Sequence, residues 1–365
     1  MTAPEQTAGE PPGLRLEPLA RWLASVGAPI DAAGPLSARL LPGGRSNVTY
    51  RLTDVHGASV VVRRPPLGHI LPSAHDMSRE FRVLHGLGQV GFPVPEAIAE
   101  CTDTEIIGAP FLVMAYVDGR VIDSRPAAEE LSPAEADGVC SALADTLADL
   151  HEVDAGAAGL TDLGRPEGYV ERQVRRWSQQ WELTKVEELA DIDRLRTWLA
   201  EAVTRLPADL PWSVVHGDYR LDNVIVARDA PRIEAVLDWE MSTLGDPVVD
   251  LAVALVYWSQ HEDGLRATVP VAEHMTDGPG FWSRAQLIDR YAGRSGRSID
   301  HLDVAVALAC FKLAVIMESI RYRALSGQQL GAAAGTGDAL GVATRSLAAL
   351  GLAVTREGTL AGLAH

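Results

Sequence analysis

The apolar positions change period twice along the chain. A polar, Pro/Gly-rich stretch over residues 1–13 predicts a disordered leader. In LRLEPLARWLASVG the helical spacing of Leu16, Leu19, Leu23 and Val26 then predicts a short helix. From Leu36 to Val117 the pattern breaks into brief runs that predict strands over 38–41, 48–52, 59–63, 97–101 and 111–116. Among them MSREFRVLHGLG predicts one helix, with Phe81, Leu84 and Leu87 on its face. Strands with one inserted helix make a small α+β lobe, and Val117, Asp118 and Gly119 read as its exit. Beyond Ser132 the helical period dominates: Val139, Leu143, Leu147 and Leu150 share one face, and similar patterns return over 170–183, 195–206, 284–291, 301–322 and 339–352. GQQLGAAAGTGDALG, rich in small residues, predicts a flexible loop into the last helix. The expected organisation is a leader over 1–13, a first lobe over 14–117 and a mainly helical second lobe over 118–365.

Between Val214 and Asp250, three short apolar runs predict buried strands that hold polar loops at their ends: Val214 and Val215, then Val224 to Val226, then Ala235 to Leu237. The loops carry His216, Asp218, Asn223 and Asp238. Asp218 and Asn223 are separated by four residues, and Asp238 follows Asn223 by fifteen. That order and spacing belong to a phosphoryl-transfer site, in which the Asp takes the proton of the attacking hydroxyl and the Asn and second Asp hold Mg²⁺. Mg²⁺ is bound by one or two protein oxygens together with phosphates, so one amide and one carboxylate suffice. A single Asp or Asn in a loop is usually a turn or cap residue; the combined spacing carries the catalytic reading.

The totals narrow the class. A chain of 365 residues with a 47% hydrophobic fraction has room for two cored lobes. A net charge of −17, spread along the chain, argues against a nucleic-acid partner and is compatible with a cationic substrate without indicating one. Cys101, Cys140 and Cys310 match no metal or redox spacing, which predicts reduced thiols and a cytoplasmic location. No signal peptide is expected, and no membrane span either, since Asp303, Lys312 and Glu318 interrupt the apolar run over 302–320.

HGDYRLDN, VLDWE and GDPVVDLA, supported by LPGGRSNVTYRL, VVVRRPP, SREFRVL and FKLAVIMESIRYR, resemble the aminoglycoside phosphotransferase family, a branch of the protein-kinase-like fold that also contains choline kinases. RRPP and LPSAHDM make the chain most similar to bacterial proteins like the kinase-like domain attached to some acyl-CoA dehydrogenases. The resemblance, from about Leu36 onward, implies an α+β, two-lobe, protein-kinase-like fold with a small β-rich first lobe and a larger helical second one. It implies Asp218 as catalytic base, Asn223 and Asp238 as Mg²⁺ ligands, His216 as a loop brace, and Asp250 reaching back to the catalytic-loop backbone. Asp246, directly before Pro247, reads as a helix cap. It further implies ATP as phosphoryl donor, with GTP left open, and a small-molecule hydroxyl as acceptor. No nucleic-acid or membrane partner is expected.

The nucleotide lobe departs from the family pattern. The chain has two lysines, Lys185 and Lys312, neither in the first lobe, so the strand lysine that contacts nucleotide phosphates is missing. Arg63 stands at the matching position, with Glu80 as the expected partner on the inserted helix. An arginine fork binds phosphate bidentately but is not equivalent to an ammonium. Arg64 should point to the opposite strand face. Gly43, Gly44 and Ser46 in PGGRSN are candidate phosphate-covering residues, although a plain hairpin turn explains them too. Met114 and Tyr116, at the end of the last strand, complete the nucleotide-site candidates. His75 and Asp76 read as the cap region of the inserted helix.

Gly217 stands where regulated kinases carry a phosphate-sensing Arg, seven residues separate Asp238 from Asp246, and Trp239 and Glu240 replace Phe-Gly. A small-molecule kinase without an activation loop is expected, its acceptor an aminoglycoside-like or a hydroxyacyl compound. The alternatives are a kinase-like nucleotide binder without transfer activity, motivated by the missing lysine, and a metal hydrolase ligated by His216, Asp218 and Asp238. Lys312, Glu318 and Arg321 line an acceptor pocket or form the edge of a core helix; the pattern leaves both open.

Overall fold

The structure is a computed structural model that describes residues 11–41, 47–67, 76–270, 274–326 and 336–365. Gly43, Gly44, Ser46 and His75 lie outside the described residues. The chain divides into two compact units, Met1–Asp118 and Gly119–His365.

The N-terminal unit runs α1 (Leu16–Ser25), β1 (Ser37–Leu40), β2 (Val48–Thr53), β3 (Ser59–Arg64), α2 (Met77–Gln89), β4 (Ala97–Cys101), α3 (Thr104–Ile107) and β5 (Phe111–Ala115). Its strands form one antiparallel sheet in the order β1-β2-β3-β5-β4. The two-residue period assigns one face to the core: Tyr50, Leu52, Val60, Val62, Phe111 and Val113 pack with Leu19 and Leu23 of α1 and Ile107 of α3. Val61 and Arg63 belong to the other face. Arg64, back on the core side, donates to the carbonyls of Gly13 at 2.5 Å and Ile107 at 3.1 Å. Asp76 caps α2 by accepting from the Arg79 N–H at 3.0 Å. The face of α2 differs from expectation: Met77, Glu80, Val83, Leu84 and Leu87 are buried, whereas Phe81 is half-buried and stacks on His85 with ring centroids 6.1 Å apart. The buried stripe is shifted by one residue so that it includes Glu80. Val26 falls beyond the end of α1 and is 41% exposed.

The C-terminal unit contains β6 (Arg120–Val121), α4 (Arg125–Glu129), α5 (Pro133–His151), α6 (Tyr169–Thr184), α7 (Ala190–Ala202), β7 (Ser213–Val215), β8 (Val224–Val226), β9 (Ile233–Val236), β10 (Thr243–Gly245), α8 (Pro247–Tyr257), α9 (Arg284–Ser295), α10 (Leu302–Leu325), α11 (Thr336–Glu357) and α12 (Thr359–Leu363). Local chemistry marks the starts: Ser132 and Glu135 form a capping box on α5, Ser283 and Gln286 one on α9, and Asp246 accepts from the Val248 N–H at 2.9 Å with Pro247 at the first turn of α8. β6, β8 and β9 make one small antiparallel sheet, and β7 and β10 pair separately.

The long helix α10 packs against α6, α7, α8 and α11 and is buried over most of its length, including Lys312 and Glu318. Part of the expected loop before the last helix is helical, because α11 begins at Thr336. Gly337–Glu357 is long and apolar enough to cross a membrane by length and composition, but 61% of its most apolar window is buried inside the fold, as in a core helix.

Two buried arginines close the C-terminal end of α8. Arg266 donates to the carbonyls of Val256 (2.7 Å) and Tyr257 (2.8 Å), and Arg284 to those of Leu255 (3.1 Å) and Trp258 (2.5 Å). These are carbonyls that the helix leaves unpaired, and the positive charge suits the negative end of its dipole.

Candidate active site

In the C-terminal unit the antiparallel pairs deliver the polar residues. β7 ends at Val215, and His216 to Asn223 form the loop that leads into β8. β8 returns as β9 with Val224 opposite Val236, and the Leu237 N–H donates to the Asn223 carbonyl at 2.8 Å. The hairpin therefore brings Asn223 beside the residue that precedes Asp238. Asp238 itself is left-handed, at φ 66° and ψ 60°, and turns the chain out of β9 into a short 3₁₀ turn over Trp239–Met241. Asp is among the few non-glycine residues that adopt this conformation readily, and such backbone outliers gather at functional sites.

His216 is fully buried and both ring nitrogens are engaged. Nδ1 accepts from the Asp218 N–H at 3.2 Å, which puts the proton on Nε2, and Nε2 donates to the Leu237 carbonyl at 2.8 Å. Its ring lies 4.6 Å from that of Trp239, centroid to centroid. His216 thus ties the loop of Asp218 to the strand end before Asp238. No ring lone pair remains for a metal, which removes one of the three ligands of the hydrolase alternative. Trp239 is fully buried and donates to the Val236 carbonyl at 2.9 Å, so the segment after Asp238 is anchored in the core.

The loop backbone hangs on Asp250 of α8. Its carboxylate accepts from the N–H groups of His216 (2.6 Å) and Gly217 (2.7 Å), and His151 Nε2 lies 3.3 Å away. Burial pushes the Asp250 carboxyl up, but the hydrogen bond and charge from His151 and the backbone hydrogen bond from His216 outweigh it, so its pKa lies below the ordinary value. His151 Nδ1 in turn meets the Tyr291 hydroxyl at 2.7 Å. Gly217 has φ +83°, and a Cβ there would stand 2.7 Å from the Met241 carbonyl oxygen, so only glycine fits this turn.

The Asp218 carboxylate is 19% exposed. Its Oδ2 receives Arg220 Nε and Asn223 Nδ2, each at 3.2 Å, and Asn223 Nδ2 also donates to the Asp218 carbonyl at 2.9 Å. With its amide nitrogen committed, Asn223 presents its carbonyl oxygen elsewhere. The Tyr257 hydroxyl also hydrogen-bonds Asp218; burial first, and then that carboxylate's charge, raises the Tyr257 pKa. Arg220 continues to Asp222 at 2.5 Å.

Arg220, Asp222 and Tyr257 escaped the sequence reading. Arg220 was detectable, as a cation two residues from the base inside a motif already singled out; Tyr257 lies in a buried apolar helix and carried no signal. On α10, Lys312 is not a solvated edge: it is buried and donates to the Gly217 carbonyl. Glu318 is structural, accepting from the Val186 N–H at 2.8 Å, and Arg321 pairs with Glu187.

Beside this loop, Tyr169, Gln173, Trp177 and Lys312 line a small cavity of about 10 Å³. Tyr169 and Gln173 also line a wider concavity of about 410 Å³, together with Arg165, Arg172, Arg175 and Arg176. Among the described residues, no acidic one lines that wider space. Arg172 is held by the carbonyls of Arg165 and Glu167, and the Arg176 guanidinium lies 5.3 Å from the Trp177 ring centroid.

In the N-terminal unit Arg63 and Glu80 meet inside the protein. Arg63 Nε lies 3.0 Å from one Glu80 carboxylate oxygen and 3.1 Å from the other, with side chains 9% and 2% exposed. Met114 is buried in the sheet opposite Val61. Tyr116 is half-buried under the Arg51 guanidinium, 3.8 Å from the ring centroid.

Comparison with known proteins agrees with this architecture. Acyl-CoA dehydrogenase family member 11 of Gallus gallus is 34% identical over 342 residues, which cover 93% of this chain and 43% of that protein. The rat protein of the same name is 37% identical over 307 residues, 81% of this chain and 38% of its own length. The chain thus spans less than half of the curated relatives it matches. A crystal structure from Ralstonia eutropha, described as a candidate aminoglycoside phosphotransferase, is 32% identical with a TM-score of 0.77, over 94% of this chain and 98% of that one. Residues 37–309 match the phosphotransferase enzyme family, and this chain, a kinase-like fold with its small antiparallel sheet and mainly helical remainder, belongs to that family.

Proposed function

We propose that this chain transfers the γ-phosphoryl group of ATP to a hydroxyl of a small anionic molecule, with Asp218 as the base. The observation that carries the reading is the Asp218 carboxylate, aimed by Arg220 and Asn223 from a loop whose backbone is held by Asp250 and His216. Catalysis of phosphoryl transfer consists mainly of positioning and charge stabilisation, and a preorganised loop supplies the first of these. The acceptor oxygen attacks the γ-phosphorus, the bond to the β-γ bridging oxygen breaks, ADP leaves, and the hydroxyl proton passes to Asp218.

Asn223 and Asp238 fit a hard divalent cation: both offer oxygen, the Asn223 nitrogen is already committed, and the β8-β9 hairpin sets Asn223 beside Leu237, the residue before Asp238. When bound, Mg²⁺ neutralises charge on the phosphates. In the N-terminal unit, Arg63, oriented by Glu80, takes the place of the missing lysine and binds nucleotide phosphate, with Met114 and Tyr116 in the nucleotide site.

The four-arginine concavity supports a hydroxyacyl acceptor bearing carboxylate or phosphate, such as a CoA thioester, over a polycationic aminoglycoside. The names of the curated relatives point in the same direction. The test is product mass after incubation with Mg–ATP and a panel of aminoglycosides, amino alcohols and hydroxyacyl-CoA compounds, with Asp218→Ala as control. Expected is a singly phosphorylated hydroxyacyl-CoA, lost in the control, while Mg–nucleotide binding survives. A phosphorylated aminoglycoside instead would overturn the acceptor class. Full turnover by Asp218→Ala would remove the base, and no product with nucleotide still bound favours the binder without transfer activity.

A further inference from the structure

Lys312 is one of two lysines in the chain, and it is buried in α10 with its ammonium directed at the catalytic loop rather than at solvent. Isolating an ammonium from water is costly unless it is paired. The partners here are specific. Nζ donates to the Gly217 carbonyl, faces the charges of Asp218 and Asp250, and lies 6.0 Å from the Trp177 ring centroid.

Gly217 is thereby gripped on both sides, from two helices. Asp250 of α8 accepts its N–H at 2.7 Å, and Lys312 of α10 donates to its carbonyl, which is the peptide group joined to Asp218. Because Gly217 is left-handed, the loop has no side chain of its own there to stiffen the turn. Burial lowers the Lys312 pKa, and Asp218 and Asp250 act against that fall. An apolar side chain of equal length would fill the same volume without either the hydrogen bond or the charge.

We propose that Lys312 is a positioning residue for phosphoryl transfer: through the Gly217 carbonyl it sets the direction of the Asp218 carboxylate. The role rests on the transferase reading above. The grip itself, however, is open to measurement without turnover.

The experiment compares wild type, Lys312→Met and Lys312→Ala in two readouts: amide hydrogen exchange of the peptide spanning residues 214–219, and kcat and KM for Mg–ATP turnover to water. Lys312→Met is expected to speed exchange at Gly217 and Asp218. It should lower kcat by about 10- to 100-fold, the scale of an ångström-level misplacement, with KM for Mg–ATP essentially unchanged. Propylammonium should restore part of the Lys312→Ala turnover, and propanol should not. Unchanged kcat and exchange in a folded Lys312→Met protein overturn the proposal, as does equal rescue by propanol. Should Lys312→Met not fold, Lys312→Ala prepared in propylammonium carries the same comparison on removal of the amine. If wild type neither hydrolyses Mg–ATP nor phosphorylates any acceptor of the panel but exchange still rises in the variants, the transferase reading fails while the grip on the loop stands.

Discussion

The Arg63 guanidinium meets the Glu80 carboxylate at 3.0 Å, with both side chains almost wholly withdrawn from solvent. The pair joins the middle strand of the sheet to α2, and it explains why the buried stripe of that helix includes an acidic residue. Removing one member takes from the other buried charge its ion-pair partner, at a cost of about 3 to 5 kcal/mol. Arg63→Ala should therefore lose stability by this order in denaturant titration and bind Mg–ATP more weakly by calorimetry. The double variant Arg63→Met/Glu80→Gln separates the effects: it should regain much of the stability without regaining nucleotide affinity. Wild-type affinity in that variant would move the phosphate contact to another residue.

Asp250 carries a pH dependence whose sign follows from its partners. Its folded pKa is depressed, so its contribution to stability is complete above the unfolded value of about 3.9 and is lost as pH falls through the lower folded value. Asp250→Asn should be less stable than wild type at neutral pH, since a neutral amide replaces a carboxylate that accepts from two backbone N–H groups. The gap between the two proteins should narrow below about pH 4. Denaturant midpoints from pH 7 to pH 3 test this, and a gap that stays constant would contradict it.

The arginine closure of α8 gives a structural prediction remote from the chemistry. Arg284 pairs with Asp263 at 2.5 Å, and both side chains are 2% exposed. Arg284→Met leaves the Asp263 charge unpaired and should cost about 3 to 5 kcal/mol in chemical unfolding. The folded fraction should keep its nucleotide affinity, which would separate a stabilising role from one in binding.

Burial pushes the thiols of Cys140 and Cys310 up to about 12 and raises that of Cys101 as well. Since the thiolate is the reactive species, native protein at pH 8 should resist iodoacetamide, and all three thiols should react once unfolded. Mass spectrometry with and without denaturant reads the difference. Rapid labelling of the native protein would place one of these residues outside the core.

Much of this architecture was legible because apolar period reports burial. Ala97–Cys101 has the expected limits, and Val139, Leu143, Leu147 and Leu150 are buried together. Asp218 and Asn223 were legible because a short loop between buried strands keeps their spacing meaningful, and the structure hydrogen-bonds one to the other. β6 and β10, with two and three residues, are too short for any period to mark and exist through their pairing partners. Lys312 and Glu318 looked like interruptions of an apolar run. Their burial depends on tertiary partners, the Gly217 carbonyl and the Val186 N–H, at distant positions in the chain. The arginines of YVERQVRRW carry no signal beyond the helical period around them; only the folded chain shows that they share a concavity with Arg165.

That concavity is built largely by one helix, whereas the loop bearing Asp218 is held by α8 and α10. The residues that would greet an acceptor and those that would activate it are thus anchored to different parts of the framework. On that proposed reading, exchange of the arginines along α6 would retune partner choice while the contacts of Asp250 and Lys312 with the loop are kept. Such a division would make a single scaffold evolvable toward differently charged acceptors, and it would mark Arg172, Arg175 and Arg176 as the positions at which an engineer begins.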